Sequence, residues 1–515
     1  MKPKYPATSA SKLKQEFIEI SAILKEGCDK GFFSSKDLEA AKPEKPKAGR
    51  MYGLPKDHKS ICKESGIPPL RCVVSCCGGH LEGLGKIVDY FLRPVDEGAA
   101  SFIQDTPHLL RMIRDLNSQG PQPPGTRLFT MDVTSMYPSI PSSRAPNWVR
   151  KRCLKAGMAP LLVDWLVRAL ELMLRSSTFE YDGELYSQAT GCSIGEPFAC
   201  SYSGVSMGNV EEEAKGKWQS RGGVRRVRKG LQWKRGDAAE VDNWGGRFRD
   251  DCLGLFRGSK FEFNGYVATM NSIDKDIQFT SEIDWKENKV MFLDLEITID
   301  SDGYLQTDLY IKPNAKNTLL LPSSCHKPSV TRASVYSLAL RITRICSKEA
   351  AAEKRYQELA ARLREREYSE EVISAGITRA KAVPRKVSKQ VEEGNRQHRL
   401  IVEWERRSSP ALAGVLDTNF KEMVSRDQRL GRVFKKVPRP AFKRGKNIKE
   451  LLCRARVPPV RRVDTRGTTE EARHGLTRCD KGLARRGCVG CPFMTSRPNE
   501  VVKFVTIHNT AEDSC

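Results

Sequence analysis

No run of apolar residues in this 515-residue chain approaches the ~18 that a membrane-spanning helix needs. The opening Met-Lys-Pro-Lys-Tyr also lacks the apolar segment of an export signal. Neither a transmembrane nor a secreted protein is expected. The 16 cysteines therefore read mainly as reduced, small apolar side chains, since a disulfide framework needs an oxidising compartment. No internal repeat of solenoid period is present. Negative charge is in short supply: 63 Asp and Glu face 87 Lys and Arg, a formal net charge of +24. Such a balance points to an acidic polymer as partner, nucleic acid first and an anionic membrane surface second. What is abundant excludes disorder, because 39% hydrophobic residues can fill a real core and the length suffices for two to four domains.

Along the chain, a short amphipathic segment (12–20) and a Pro/Lys linker occupy residues 1–47, and a domain begins near Met51. From there to about 310, β-like runs such as 70–75 and 290–299 alternate with helical stretches such as 161–174, which reads as α+β. A Gly/Arg segment over 214–246 reads as a mobile basic loop. Beyond Cys346 the chain turns helical and charged, with Tyr356, Leu359 and Leu363 on one helical face and Val372, Ile373 and Ile377 on another.

Three segments carry chemistry. In FTMDVTSMYPSIP, Phe129 to Pro141, a lone acid, Asp132, ends an apolar run. A carboxylate there costs several kcal/mol unless a metal ion, a basic partner or solvent neutralises it. In RFRDDCLGLF, Arg247 to Phe256, two adjacent acids, Asp250 and Asp251, interrupt a second β-like run. Successive strand side chains face opposite ways, so only one of the two shares a face with Asp132, and a β-hairpin turn would place paired acids in the same way. Between these lies QATGCSIGEP, Gln188 to Pro197, whose two glycines suit either close approach to a ligand or a plain loop.

The order of the three, an aspartate with an aromatic five residues on, a Gln-x-x-Gly-x-x-x-Gly-x-Pro loop, then aromatic-x-Asp-Asp, resembles motifs A, B and C of reverse transcriptases. YGLPKDHK (52–59), PLRCVVS (69–75), FTSEI (279–283), FLDLEI (292–297), LRITRICS (340–347) and PAFKRGKNIKELL (440–452) are similar to the Penelope-like element subgroup, itself related to telomerase reverse transcriptases. The resemblance is to members without the C-terminal GIY-YIG endonuclease. It implies a right-hand polymerase: fingers and palm over 48–310, with an antiparallel sheet plus helices, then a mainly helical thumb over 311–460. A basic, Cys-containing tail follows over 461–515.

The implied activity is RNA-directed DNA synthesis by a nuclear enzyme, with an RNA template, a DNA primer, deoxynucleoside triphosphates and two Mg²⁺ ions. Asp132 and Asp250 would bridge the ions, the Val133 carbonyl would complete the shell, and Asp251 would support them. Tyr137 matches the steric gate that excludes a ribonucleotide 2′-hydroxyl. Arg71, Lys56 and Lys59 are the candidates for the triphosphate, and Gln188 and Gly195 belong to the segment beside the incoming base. The chain departs from the pattern at Arg249, where the family has an apolar residue, at Cys72, where it has proline, and at Glu196, where it has a small residue. The alternative is a non-catalytic nucleic-acid-binding protein descended from such an enzyme. In the tail, Cys479, Cys488 and Cys491, with His508 or Cys515 as a fourth ligand, would suit one structural Zn²⁺, or remain free thiols.

Overall fold

The computed structural model describes residues 5–56, 61, 68–220, 245–312, 317–324, 326–384, 399–403, 411–427, 437 and 439–443. In chain order the first half contains α1 (Ala10–Asp29), α2 (Ser35–Ala41), β1 (Gly49–Pro55), β2 (Leu70–Ser75), α3 (Glu82–Glu97), α4 (Thr106–Ser118), β3 (Thr126–Val133), α5 (Met136–Ser139), α6 (Ala145–Lys155), α7 (Pro160–Arg175), β4 (Thr178–Tyr181) and β5 (Glu184–Ser187). Then come α8 (Ala199–Ser220), β6 (Gly246–Phe248), β7 (Asp251–Arg257), α9 (Lys260–Asn271), β8 (Phe279–Ile283), β9 (Lys289–Phe292), β10 (Leu295–Ile299) and β11 (Leu305–Leu309). The remainder is α10 (Pro328–Ile345), α11 (Glu349–Arg364), α12 (Glu370–Lys381), β12 (Arg399–Glu403), α13 (Leu412–Arg426) and β13 (Arg439–Lys443).

The chain divides into two units, one of Met1–Leu319 with Ser334–Ser388 and one of Leu320–Ala333 with Lys389–Cys515. The larger is a mixture of helices and largely antiparallel sheets, as the alternation of periods anticipates. Its central sheet, in the order β6-β7-β3-β8, is antiparallel throughout. A second sheet, β2-β1-β4-β5, contains one parallel pair, β1 with β4, and a third runs β11-β10-β9. In the smaller unit β12 and β13 pair in parallel.

Strand alternation explains how the central sheet is clad. Phe129, Met131 and Val133 of β3, with Cys252 and Phe256 of β7, face one core that also takes Ile20, Leu24, Leu84, Trp165, Phe198 and Tyr202 from α1, α3, α7 and the segment entering α8. Leu128, Leu253 and Leu255 face the opposite core, with α4, β9 to β11 and the helices after Ser334. Each core residue buried in this way contributes ~1.5–3 kcal/mol against exposure.

The first 47 residues, set apart in sequence as an extension and linker, contribute α1 to the first core: Ser9 caps it, Ile20 and Leu24 are fully buried, and the Trp165 indole donates to the Ile23 carbonyl at 3.0 Å. The run 290–299 is one strand by composition but two in the fold. Leu293 takes a left-handed φ of 55°, and the Asp294 carboxylate accepts from Thr106 and Arg341, so the chain turns there. Over 311–460 the described residues hold α10 to α13 and the β12–β13 pair, so strands accompany the helices expected there.

Candidate active site

Asp132 is the penultimate residue of β3, whose inward positions are Leu, Phe, Met and Val. In the antiparallel register its partner across the sheet is Asp251, the first residue of β7. Directly opposed residues share a face with Cβ atoms ~4.5–5.5 Å apart, so these two carboxylates project together. Both are exposed, because they lie on the face of Leu128, Leu253 and Leu255 but at the strand ends, beyond the apolar cover. The hairpin from β6 to β7 has Arg249 and Asp250 between Phe248 and Asp251, which pair in register. The Val133 amide donates to the Asp250 carbonyl at 3.1 Å, fastening that loop to the end of β3. The backbone thus brings Asp132, Asp250 and Asp251 to one end of the sheet despite their separation in sequence, and it is Asp251, not Asp250, that stands opposite Asp132.

Convergence has an electrostatic signature. Protein packed around Asp251 and the neighbouring Asp250 and Asp132 charges push its carboxyl up to about 6, while Lys312 opposes the shift. Lys312 was not singled out in sequence; nothing in its local context marks it, and only the fold brings its charge to Asp251. Among the described residues no three His, Cys, Asp or Glu side chains stand close enough to cage an ion unaided.

Tyr137, in the short α5, is half-buried, and its hydroxyl lies 3.5 Å from the Cys200 sulfur near the start of α8. Burial and that contact push its phenol above the ordinary range. Its carbonyl accepts from the Cys192 amide at 3.0 Å. This approach of the Gln188–Pro197 loop requires Gly191: its φ is +70°, and a Cβ would sit 2.4 Å from the Tyr137 carbonyl oxygen. Gly195, at φ +112°, does the same toward β2, where a Cβ would meet the Val74 carbonyl oxygen at 2.3 Å. The two glycines thus tie the loop to α5 on one side and to β2 on the other.

The remaining candidates are placed less centrally. Gln188 is buried, with its amide donating to the Thr190 carbonyl at 2.9 Å and accepting from Ser193 at 2.7 Å, so its side chain closes its own loop. Arg71 is exposed on β2 opposite Leu54, and Lys56 is half-buried just past β1. Lys59, most of the 214–246 basic segment, and Cys479, Cys488, Cys491, His508 and Cys515 lie outside the described residues. Glu196 is buried and accepts from Ser177 at 3.2 Å; burial pushes its carboxyl up to about 8.

The profile of the animal helix-turn-helix domain matches residues 318–378, well under half of the chain. No curated protein matches the sequence. Among solved structures, the chain is similar to telomerase from Candida albicans in complex with a fragment of telomeric RNA, at 10% identity and a TM-score of 0.44, covering 67% of this chain and 56% of that one. It is also similar to apo telomerase from Candida tropicalis, at 9% identity and a TM-score of 0.38, covering 65% and 62%. A third likeness is to the BmCPV RNA-dependent RNA polymerase in its quiescent state, at 11% identity and a TM-score of 0.35, covering 65% and 28%. The chain thus spans little more than half the length of the first of these, and at such TM-scores none of the three bears on what the site does.

Proposed function

We propose that the chain is a nucleic-acid polymerase of right-hand architecture, and specifically an RNA-directed DNA polymerase of the Penelope-like group. The observation that carries this is the pairing of Asp132 with Asp251 across adjacent strands, with Asp250 in the adjoining hairpin. Burial first, and then the Asp250 and Asp132 charges, raise the Asp251 carboxyl, and a divalent cation would relieve the part that comes from those charges. The donor set is all hard oxygen, as Mg²⁺ requires. Asp132, Asp251, Asp250 and the Val133 carbonyl would hold it, and two such ions when bound supply an activated primer 3′-hydroxyl and charge compensation for departing pyrophosphate. Tyr137, as the steric gate, would close the site to a ribose 2′-hydroxyl, which would favour deoxynucleotides. Arg71 and Lys56 supply cationic groups for a triphosphate, and the net charge of +24 suits a template–primer duplex. The tail cysteines, with His508 or Cys515, remain proposed ligands for one structural Zn²⁺.

A binding protein that has lost catalysis would share the basic surface. Arg249, one of the three departures from the family pattern, lies 3.9 Å from the Asp96 carboxylate. Primer extension decides between the two: incorporation of deoxynucleotides on an RNA template with Mg²⁺ is expected, abolished by Asp132→Asn. Template–primer binding without incorporation under any divalent cation would establish the non-catalytic reading.

A further inference from the structure

Arg249 holds a conformation that its neighbours must enforce. As the first of two residues in the β6–β7 hairpin it adopts φ 59°, in the left-handed region that strains a residue carrying a Cβ. Its carbonyl accepts from the Arg247 guanidinium at 3.1 Å. Arg247 is itself only 2% exposed; it also donates to Glu211 and, at 3.0 Å, to the Gly204 carbonyl, and it stands 3.8 Å from Asp96. The Ser101 hydroxyl donates to the other oxygen of Glu211. A buried ion cluster therefore grips the backbone of the hairpin that carries Asp250 and Asp251.

The same cluster aims the Arg249 side chain. Asp96, 3% exposed, sits between the two arginines, and α8 makes room for it with Gly204, where a Cβ would fall 1.9 Å from the carboxylate. The Arg249 guanidinium is 40% exposed and 3.9 Å from Asp96, too far for a hydrogen bond. Its charge also reaches the Tyr137 phenol, where it favours ionisation. A cation is thus held near a buried carboxylate, with its guanidinium partly open, its charge felt at the residue proposed to face the nucleotide sugar, and one position from Asp250.

We propose that Arg249 is a substrate-binding residue that takes a phosphate of the incoming nucleotide, with Asp96 and Arg247 as the positioning residues that hold it there. The inference rests on the reading of Asp132, Asp250 and Asp251 as the metal-holding acids. A guanidinium suits the role because it can donate two N–H groups to one phosphate and stays charged at any working pH. The terminal phosphodiester of a primer offers the same chemistry, and the nucleotide is favoured by the proximity of Tyr137.

The test uses the full chain with Mg²⁺ and compares wild type with Arg249→Val, Arg249→Gln, Arg249→Lys and Asp96→Asn. Equilibrium binding of a deoxynucleoside triphosphate is measured alongside primer extension and template–primer affinity. Arg249→Val and Arg249→Gln are expected to weaken nucleotide binding and raise its KM by roughly tenfold or more, the scale of one charge-assisted contact, with kcat changed less. Arg249→Lys should recover part of the loss, as a purely structural role would not allow, and Asp96→Asn should fall between. Template–primer affinity should stay within about twofold of wild type, since one contact among many is removed. Nucleotide affinity and KM unchanged in both Arg249→Val and Arg249→Gln would overturn the proposal, as would a loss confined to the template–primer. A wild type that binds nucleotide through Arg249 but incorporates none would leave this site standing and remove the polymerase reading. Normal incorporation with no dependence on Arg249 would do the reverse.

Discussion

Asp251 and Glu196, both in the larger unit, carry raised carboxyl pKa values, and they differ in what could neutralise them. At the end of the central sheet Asp251 is exposed, pushed up to about 6 by surrounding protein and by Asp250 and Asp132. Behind β2 Glu196 is buried, pushed up to about 8 by burial, and one of its oxygens has no hydrogen-bond partner. It lines a cavity of about 10 Å³, room for one water, with Val74, Cys76, His80 and Ser193. Nearby His80 and Glu16, both almost wholly buried, stand 3.3 Å apart through His80 Nε2 and a Glu16 carboxylate oxygen. An enclosed acid meets its desolvation with a proton. The open acids are accessible to a cation from solvent, and that accessibility separates a candidate reaction centre from a packed core.

Removing a member of the open set should have the largest effect. On the proposed two-ion reading, Asp132→Asn or Asp251→Asn is expected to reduce primer extension by at least ~10³-fold, because each would remove a charged ligand of the ions. Without Mg²⁺ the melting temperature of Asp132→Asn should match or exceed that of wild type at pH 7, since a like charge beside Asp251 is gone. A variant that unfolds would mean that these acids hold the fold together, and the contrast with Glu196 would collapse.

The enclosed set should respond in stability and leave extension near pH 7 intact. Glu196 has its folded carboxyl raised to about 8 from an ordinary 4.5. The folded state therefore binds a proton that the unfolded chain has released, so stability falls as pH rises from about 4.5 to about 8. Glu196→Gln, neutral at every pH, should flatten that slope and raise stability at pH 8 by roughly 2–4 kcal/mol, an order-of-magnitude figure from the linkage relation. Denaturant melts from pH 5 to 9 measure it; parallel slopes in the two proteins would show that Glu196 is ionised and paired.

These differences bear on what the sequence could disclose. The central hairpin is partly legible, because two adjacent acids inside an apolar run admit few arrangements, a turn among them. Register was not: whether Asp250 or Asp251 opposes Asp132 depends on the two-residue loop and on the strain accepted at Arg249, which composition does not specify. Gly191 and Gly195 were visible as glycines, but that both serve contacts within the protein, to α5 and β2, follows only from packing. Glu196 is visible as out of pattern; its neutral state comes from burial, which the Ser177 hydroxyl only partly opposes. Lys312 and Asp96 gave no local signal at all, since both acquire their roles through neighbours distant in the chain.

The open acids should also set the acid limit of activity. Asp251 protonates below about 6 and then offers a cation no charge, so extension is expected to rise with pH through that region. Because a bound cation competes with the proton, raising Mg²⁺ should move the limb to lower pH. Rate profiles at two Mg²⁺ concentrations test this, and a limb indifferent to Mg²⁺ would assign it to another group.

The smallest effect is expected at Tyr137, which belongs to neither set. Its ring is half-buried against Cys200 and its carbonyl is held by the Cys192 amide, so α5 is supported through its backbone as well as through this side chain. Tyr137→Ala should therefore leave the three acids in place and preserve most deoxynucleotide incorporation while opening the space where a 2′-hydroxyl would lie. Ribonucleotide incorporation relative to deoxynucleotide incorporation should rise by about tenfold to a hundredfold, the range available to steric and contact discrimination in one pocket. Tyr137→Phe, which keeps the bulk and loses only the hydroxyl contact to Cys200, should leave the ratio near that of wild type. Equal ratios in Tyr137→Ala and wild type would reduce Tyr137 to a packing residue of α5, and a ratio raised equally by Phe and Ala would assign discrimination to the hydroxyl instead of the ring.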